Sequence, residues 1–218
     1  MEDKQICNLL KGYGTSTVSD AMDKLGYNGG LLGIHPVSIA KTICGRAFTV
    51  KYIPCGTEKN SVGDFIDDVD EGQVVVIAND GRLDCTVWGD IMSLYAHIHN
   101  IAGTVIDGVC RDLDKVHESG YPIYAKGVYL VTGKDRVQCD AVNVPVSVCG
   151  KMVKAGDYIL GDASGVISIP EEIIDKVLEA AKSISDTEEL IRAEVTAGGK
   201  LKDARAKHGY HKLQTKDA

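Results

Sequence analysis

Apolar residues in the middle of the chain follow a pattern that predicts a strand, a helix and a second strand. Residues 73–78 and 103–106 form nearly continuous apolar runs, which are typical of strands buried on both faces. Between them, residues 89–100 carry apolar side chains at helical spacing, so we expect an amphipathic helix. Residues 79–82 are polar and predict a loop. Two strands joined through a helix indicate a βαβ unit and a partly parallel sheet.

Three more elements are predicted in the first third of the chain. Residues 16–26 carry apolar side chains at positions i, i+4 and i+7 and end in glycine, which predicts a helix. Residues 45–52 alternate between inward and outward positions and predict a strand. Residues 58–69 place their apolar side chains on one side and predict a second helix.

Short strand-like segments follow residue 120 and predict a second, more antiparallel layer. A long helix then begins at Pro170, because proline followed by two acidic residues suits a helix N-terminus. Its apolar face continues to Val195, and the C-terminal helical segment covers about residues 170–208. No internal repeat or linker interrupts the chain, so residues 1–218 are predicted to form a single α/β domain. The strand-like segments are residues 122–125, 128–132, 144–148, 158–160 and 165–169.

Composition and charge narrow the classes of function. The 218 residues include 24 glycines, which indicates many tight turns, and the net charge is −7. We expect no direct nucleic-acid partner, because the chain is acidic and has no basic stripe. We expect no membrane association either, because no apolar run is long enough to span a bilayer. The polar first residues do not match a secretory signal. The seven cysteines show no CxxC spacing, which favours free thiols in a cytoplasmic protein.

Two polar segments stand where a ligand site is expected in the βαβ unit. Residues 89–92 open the helix, where free backbone N–H groups favour a carboxylate or a phosphate. Arg111 and Asp112 follow the second strand, and strand C-termini meet helix N-termini in open α/β sheets. Arg111 offers a bidentate fork for a carboxylate, Asp112 offers hard oxygen for a divalent cation, and Asp90 can hold water or move a proton. The alternative is a helix cap and a surface Arg–Asp pair without a catalytic role.

The order of several short motifs resembles the RraA-like family, which includes the class II 4-hydroxy-4-methyl-2-oxoglutarate and 4-carboxy-4-hydroxy-2-oxoadipate aldolases. The resemblance covers most of the chain, and its most specific part is the spacing between the Gly-acid loop and the Arg-Asp pair. It implies a fold of β/β/α layers, of the swivelling-domain type, with a long C-terminal helix. It also implies a homotrimer or a hexamer of two trimers, with the site at a subunit interface. The motifs are VSDAMDKLG at residues 18–26, GRAFTV at 45–50, GDIM at 89–92, GTVIDGVCRD at 103–112, GDY at 156–158 and GDASGV at 161–166.

The resemblance implies a role for each residue of the two polar segments. In the family, the Gly-acid loop binds the carboxylate of a pyruvate unit through backbone amides, the arginine binds the pyruvate moiety, and the next aspartate binds Mg²⁺ or Mn²⁺. The loop acid positions water, and a glutamate near the C-terminus comes from the neighbouring subunit. The implied substrate-binding residues are Gly89, Asp90, Ile91, Met92 and Arg111, the metal ligand is Asp112, and the catalytic residues are Asp90, Arg111 and Glu188 or Glu189.

The implied reaction is metal-dependent cleavage of a 4-hydroxy-2-oxo acid to pyruvate. Retro-aldol cleavage leaves pyruvate enolate, whose charge a metal and Arg111 stabilise, and decarboxylation of oxaloacetate passes through the same enolate. Two alternatives share the resemblance. One is a lyase for another 2-oxo or sugar acid, and the other is a protein-binding regulator, since some family members inhibit the ribonuclease RNase E. A Schiff-base aldolase would need a desolvated lysine, for which Lys126 or Lys154 is available.

Overall fold

Strands and helices alternate in the first part of the chain, and strands follow one another in the second part. The computed structural model describes residues 1–57, 60–210 and 213. The strands are β1 (His35–Pro36), β2 (Ile43–Pro54), β3 (Val74–Thr86), β4 (Gly103–Cys110), β5 (Ile123–Val128), β6 (Val137–Val142), β7 (Val146–Val148), β8 (Lys151–Val153), β9 (Tyr158–Asp162) and β10 (Gly165–Ile169). The helices are α1 (Asp3–Lys24), α2 (Asp90–Ile98), α3 (Leu113–Ser119), α4 (Ile174–Thr196) and α5 (Leu201–Lys207), and 3-10 helices lie at Asp64–Asp68 and Glu171–Ile173.

The main sheet has the strand order β1-β5-β4-β3-β2-β9-β10, and β6 also pairs with β2. Strands β2 to β5 pair in parallel, whereas β9 and β10 pair antiparallel with each other and β9 pairs antiparallel with β2. Helix α2 connects β3 to β4, so the predicted βαβ unit is confirmed. Every residue of β4 is buried, as expected for a central strand covered on both faces.

The β9–β10 hairpin is hydrogen-bonded to β2 in the main sheet, but it packs against a face of the parallel strands and so forms a second β layer. Ile159 and Val166 on one of its faces pack against the parallel strands. Leu160 and Ile167 on the other face pack against α1 and α4. The prediction of a single α/β domain in β/β/α layers with a long C-terminal helix is therefore confirmed, and α4 is that helix. Helices α2 and α3 add a layer on the outer face of the parallel strands.

The prediction of a loop over residues 79–82 is wrong, because these residues belong to β3. Ala78 pairs with Asp107 and Arg82 pairs with Gly108, so β3 contains extra residues that bulge out of the ladder. A bulge leaves its extra residues unpaired while the strand continues. The polar sequence therefore marks a bulge and not the end of the strand.

The prediction of a helix over residues 58–69 is also wrong. The described part of this segment contains only the 3-10 helix Asp64–Asp68, and Glu58 and Lys59 lie outside the described residues. The hydroxyl of Ser61 accepts hydrogen bonds from the backbone N–H groups of Gly63 and Asp64, at 3.1 and 3.0 Å. Such side-chain bonds compete with the α-helical pattern, and this local bonding limits the segment to a short turn.

The predicted strand over residues 128–132 is wrong for most of its length. Only Val128 belongs to a strand, where it ends β5. The chain then leaves the ladder, and Thr132 forms an isolated bridge with Thr86. This turn places Thr132 beside the last residue of β3, at the edge of the sheet where the polar segments lie.

Helix α1 begins well before the helix predicted over residues 16–26. It bends at Gly14, whose φ of 78° and ψ of 165° are not helical. The carboxylate of Asp162 accepts the backbone N–H and the hydroxyl of Thr15, at 2.8 and 2.7 Å, and so caps the second half of the helix. Within the described residues, no helix combines the length and the apolar character that crossing a membrane requires.

Candidate active site

A cleft of about 450 Å³ opens where the carboxyl end of β4 meets the amino end of α2. This volume is typical of small-molecule sites. The cleft brings together six residues that the sequence assigned to substrate and metal: Gly89, Asp90, Ile91, Met92, Arg111 and Asp112. The other walls come from Cys55, residues 60–63, residues 86–88, Thr132, Lys134 and Asp135.

A buried chain of hydrogen bonds fixes the start of α2. The indole N–H of Trp88 donates to the hydroxyl of Ser93 at 2.9 Å, and this hydroxyl donates to the carbonyl of Gly89 at 2.8 Å. The backbone N–H of Ser93 reaches the same carbonyl at 3.1 Å. The Trp88 ring also stacks on the ring of Tyr121, with centroids 6.0 Å apart. The segment that carries the free N–H groups is therefore held in place by the protein itself.

Gly89 is the residue that lets the two polar segments approach each other. A Cβ atom at this position would lie 2.6 Å from Oδ2 of Asp112, so any side chain here would force the Asp112 carboxylate to move. The φ of −150° is extended backbone that other residues adopt, so the constraint on this position is space and not conformation. The absence of a side chain brings the Asp112 carboxylate against the backbone of the α2 N-terminus.

Arg111 and Asp112 form an ion pair that lines the cleft. The Nε atom of Arg111 lies 3.2 Å from Oδ2 of Asp112, and the two side chains are 38% and 36% exposed. Asp112 precedes α3 with a left-handed φ of 59°, and its side chain makes no capping bond to that helix. Among the described residues, neither Nη group of Arg111 has a protein acceptor. Both side chains therefore keep polar atoms available for a ligand.

Asp90 is held as a carboxylate at the first position of α2. Its Oδ2 atom lies 3.3 Å from Nζ of Lys115 on α3, and the Asp90 side chain is 26% exposed. Burial raises the pKa of Asp90, but hydrogen bonds from Lys115 and from the backbone N–H of Ile91 outweigh it, so the pKa is lowered overall. Asp90 is therefore ionised at neutral pH and can accept a proton or orient a water molecule.

The donor set of the cleft suits a hard divalent cation. Within the part of the chain that the structure describes, no three His, Cys, Asp or Glu side chains converge on one point. Mg²⁺ commonly binds through one or two carboxylates and keeps several waters, whereas a Zn²⁺ site has three or four protein ligands. The Asp112 carboxylate is partly exposed and has no capping role, so it can serve as the single carboxylate of a Mg²⁺ site. The cleft does not offer the three or four protein ligands of a Zn²⁺ site within the described residues.

The structure does not bring Glu188 and Glu189 to this cleft. Both lie on α4, where Arg192 binds them at 2.9 and 2.6 Å. Helix α4 packs on the β9–β10 hairpin, on the opposite side of the sheet from α2. The assignment of a catalytic role to Glu188 or Glu189 in a neighbouring subunit stays a prediction.

The two lysines available for a Schiff base are both ion-paired. Nζ of Lys126 lies 2.6 Å from Oδ1 of the buried Asp107, and this hydrogen bond raises the pKa of Lys126. Nζ of Lys154 lies 3.5 Å from Glu172 at the surface. A Schiff base needs a neutral amine, so the environment of Lys126 opposes this chemistry.

Three further residues reach the site without a signal in the local sequence. Thr132 and Lys134 line the cleft from the loop after β5, and the Thr132 hydroxyl accepts the backbone N–H of Lys134 at 3.2 Å. Lys115 reaches Asp90 from α3. Only the three-dimensional packing of the two loops and α3 around the α2 N-terminus reveals them.

Comparisons with known proteins show the family and the fold of the chain. A family model described as RraA-like, Aldolase/RraA, matches residues 15–168. Protein DlpA of Legionella pneumophila is 36% identical over an alignment of 216 residues that covers 96% of this chain and 35% of DlpA, so the chain spans about a third of that relative. A Halalkalibacterium halodurans protein with a provisional 4-hydroxy-4-methyl-2-oxoglutarate aldolase name is 32% identical over 77% of this chain and 78% of its own. A solved structure of an uncharacterized protein from Pseudomonas syringae superposes with a TM-score of 0.86 at 38% identity, over 93% of this chain and 97% of that one.

Proposed function

The chain belongs to the RraA-like family, and from this premise we propose that it is a divalent-metal-dependent lyase that cleaves a 4-hydroxy-2-oxo acid to pyruvate. The observation that carries the proposal is the convergence of Arg111, Asp112 and the N-terminus of α2 on one cleft. A cation, a metal-binding carboxylate and backbone N–H donors are the groups that a 2-oxo carboxylate and its enolate need.

The carboxylate of the pyruvate unit binds at the start of α2. The first-turn N–H groups of a helix have no carbonyl partner within the helix, and the helix dipole favours an anion there. In α2 the Asp90 carboxylate already accepts the N–H of Ile91, so the incoming carboxylate takes the first-turn donors that Asp90 does not use. Arg111 lines the same cleft, and its Nη groups can offer a bidentate fork to the carboxylate. Lys115 offsets the negative charge of Asp90, which otherwise repels the incoming carboxylate.

Asp112 is the residue that would hold Mg²⁺ or Mn²⁺, with water and substrate oxygens completing the coordination. When bound, such an ion supplies Lewis-acid stabilisation for negative charge on the 2-oxo oxygen. Arg111 contributes in the same direction, because its guanidinium lies beside the Asp112 carboxylate at 3.2 Å. The protein thus offers positive charge where the enolate develops.

Asp90 is the candidate for proton transfer. The retro-aldol step removes the proton from the C4 hydroxyl, breaks the C3–C4 bond and leaves the electron pair on the pyruvate enolate. An ionised carboxylate at the cleft can take that proton directly or through one water molecule. The enolate then takes a proton at C3 to give pyruvate. Oxaloacetate reaches the same enolate by loss of CO₂, so we expect decarboxylation as a side activity.

Self-association is part of the proposal, as a trimer or a hexamer. Helix α2 exposes Ile91, Leu94 and Ile98, which are 79%, 54% and 64% exposed and lie along one side of the helix. Leu130, in the loop after β5, is 78% exposed. Large apolar side chains grouped in this way mark interaction sites. Because Ile91 also lines the cleft, a second copy seated on this face would border the site.

The test is pyruvate release from 4-hydroxy-4-methyl-2-oxoglutarate and from oxaloacetate, measured by coupling to lactate dehydrogenase. The chain is assayed with Mg²⁺, with Mn²⁺ and with excess chelator. We expect metal-dependent release from both compounds, with two pyruvate molecules from each 4-hydroxy-4-methyl-2-oxoglutarate and one from each oxaloacetate.

Release from oxaloacetate alone would support the pyruvate half-site and assign the natural substrate to another 2-oxo acid. No release from either compound, by folded protein with either metal, would contradict the lyase proposal. Co-purification with a ribonuclease would in that case favour a regulatory role.

A further inference from the structure

Two buried thiols line one surface cavity at the packing between α1 and the sheet, away from the cleft. Cys7 lies on α1 and Cys44 lies on β2, with residue exposures of 9% and 4%. Both belong to the same cluster of packed core residues. The more exposed thiols have other partners, since Cys139 contacts the carbonyl of Ala141 and Cys149 contacts the carboxylate of Asp107.

A surface cavity of about 590 Å³ gives access to this thiol pair. Cys7 and Cys44 line it together with Lys4, Lys11 and Arg46. The cavity has room for water, and a small polar oxidant such as hydrogen peroxide has a similar size. A buried thiol pair that borders such a cavity is open to small molecules and closed to proteins.

The charges around the pair distinguish its two members. The neighbouring Cys44 thiol, aided by the cations Lys11 and Arg46, lowers the pKa of the Cys7 thiol against the opposing effects of burial and Asp3. The neighbouring Cys7 thiol, together with burial, raises the pKa of Cys44. Cys7 is therefore the member with thiolate character, which is the form that reacts with peroxides.

We propose that Cys7 and Cys44 are a redox modification site, at which hydrogen peroxide converts the two thiols to a disulfide that joins α1 to β2. In the first step, Cys7 sulfur attacks the peroxide, an S–O bond forms, the O–O bond breaks, and water leaves with the Cys7 proton. In the second step, Cys44 sulfur attacks the Cys7 sulfenic acid, the S–S bond forms, and the S–O oxygen leaves as water with the Cys44 proton. Two thiols are oxidised and one peroxide is reduced to two waters.

The disulfide would fix the first half of α1 to the sheet. This half precedes the bend at Gly14, whereas the second half is already held by the cap from Asp162. The first half is held by the packing of Ile6 and Leu10 and by the Asp3 carboxylate, which binds Arg46 and Tyr158. The cross-link would add a covalent tie to this half. Oxidation is expected to slow amide hydrogen exchange in residues 5–11 and to leave residues 15–24 unchanged.

The experiment treats the reduced 218-residue chain with hydrogen peroxide, alkylates the remaining thiols, and digests the unfolded protein with trypsin without reduction. Cleavage after Lys4, Lys11, Lys41 and Arg46 separates Cys7 and Cys44 into peptides of residues 5–11 and 42–46. We expect a cross-linked pair of these peptides, lighter by two hydrogens than their sum, before Cys139 or Cys149 is oxidised. Oxidation of Cys139 or Cys149 while Cys7 and Cys44 remain alkylatable would overturn the proposal.

Two variants assign the roles of the thiols. Cys44→Ser leaves Cys7 without its resolving partner, so Cys7 is expected to accumulate as a sulfenic acid that dimedone traps. Cys139→Ser is the matched control, and it is expected to form the cross-link at the wild-type rate. Loss of the cross-link in Cys139→Ser would contradict the assignment, because Cys139 would then belong to the reacting pair.

Discussion

The backbone N–H of Arg111 donates a hydrogen bond of 3.1 Å to the carbonyl oxygen of Trp88. This bond ties the segment after β4 to the residue that precedes the α2 N-terminus. Trp88 continues the connection through its indole N–H to Ser93, whose hydroxyl holds the Gly89 carbonyl. The cation and the backbone donors of the cleft are thus parts of one hydrogen-bonded unit, and its disruption is expected to affect substrate binding.

Ser93→Ala is expected to weaken this unit. The change leaves the buried indole N–H of Trp88 without an acceptor, at a cost of about 1–3 kcal/mol in the free energy of unfolding. Thermal unfolding checks the stability, and steady-state kinetics should show a larger change in KM than in kcat. Thr187→Ala is the matched control, because the Thr187 hydroxyl donates the same kind of bond, at 2.9 Å, to a carbonyl one turn earlier on α4, but this bond is solvent-exposed. Equal effects of both changes would contradict the role of Ser93.

Arg111→Ala is expected to lower kcat for pyruvate release by roughly 10²–10³-fold, since one lost donor to an oxyanion costs about 3–4 kcal/mol. Arg111→Lys keeps the charge but loses the planar fork, and should recover only part of the rate. Arg82→Ala serves as the control, because Arg82 also pairs with a nearby aspartate, Asp84, and lies outside the cleft. Wild-type kinetics in Arg111→Ala would remove Arg111 from the mechanism.

Gly89→Ala is expected to displace the Asp112 carboxylate, which would lie 2.6 Å from the new Cβ. A displacement of about 1 Å at a reacting centre lowers activity on the order of 10²-fold. The concentration of Mg²⁺ at half-maximal activity should rise as well. Gly12→Ala is the control, because no atom lies within 4 Å of its Cβ position in α1. There, alanine is expected to raise stability by about 0.5–1 kcal/mol and to leave the kinetics unchanged.

Lys115→Met is expected to shift the pH dependence of kcat/KM. Lys115 lowers the pKa of Asp90, so its removal raises that pKa, and the ionised form is lost at a higher pH as the solution is acidified. The acid limb should move upward by roughly 0.2–0.7 pH units, the size expected for an exposed ion pair. Lys115→Arg should keep the wild-type limb. An unchanged limb in Lys115→Met would show that Asp90 does not set it.

The parallel strands and the cleft could be predicted from the sequence because their signals are local. Residues 74–77 and 103–106 are continuous apolar runs, and the Gly-acid and Arg-Asp segments follow directly from the βαβ pattern. The bulge at residues 79–82 could not be predicted, because polar residues mark a bulge and a loop alike.

The remaining walls of the cleft depend on contacts between distant parts of the chain. Lys134 reaches the site only because the chain leaves β5 and Thr132 bridges to Thr86. Lys115 reaches Asp90 only because α3 packs beside α2. No residue pattern near Lys134 or Lys115 reports these contacts, so the sequence alone did not assign them to the site.

Pyruvate itself is the most direct probe of a pyruvate-enolate site in the cleft. Exchange of its methyl protons needs only the pyruvate half-site and not the unknown remainder of the substrate. Proton NMR in D₂O follows the methyl signal with the wild-type chain and Mg²⁺, with excess chelator, and with Arg111→Ala. We expect the methyl signal to disappear with the wild-type chain and Mg²⁺, and to persist with chelator or with Arg111→Ala. Exchange at the rate of buffer alone, by folded wild-type protein with Mg²⁺ or Mn²⁺, would contradict a pyruvate-enolate site in this cleft.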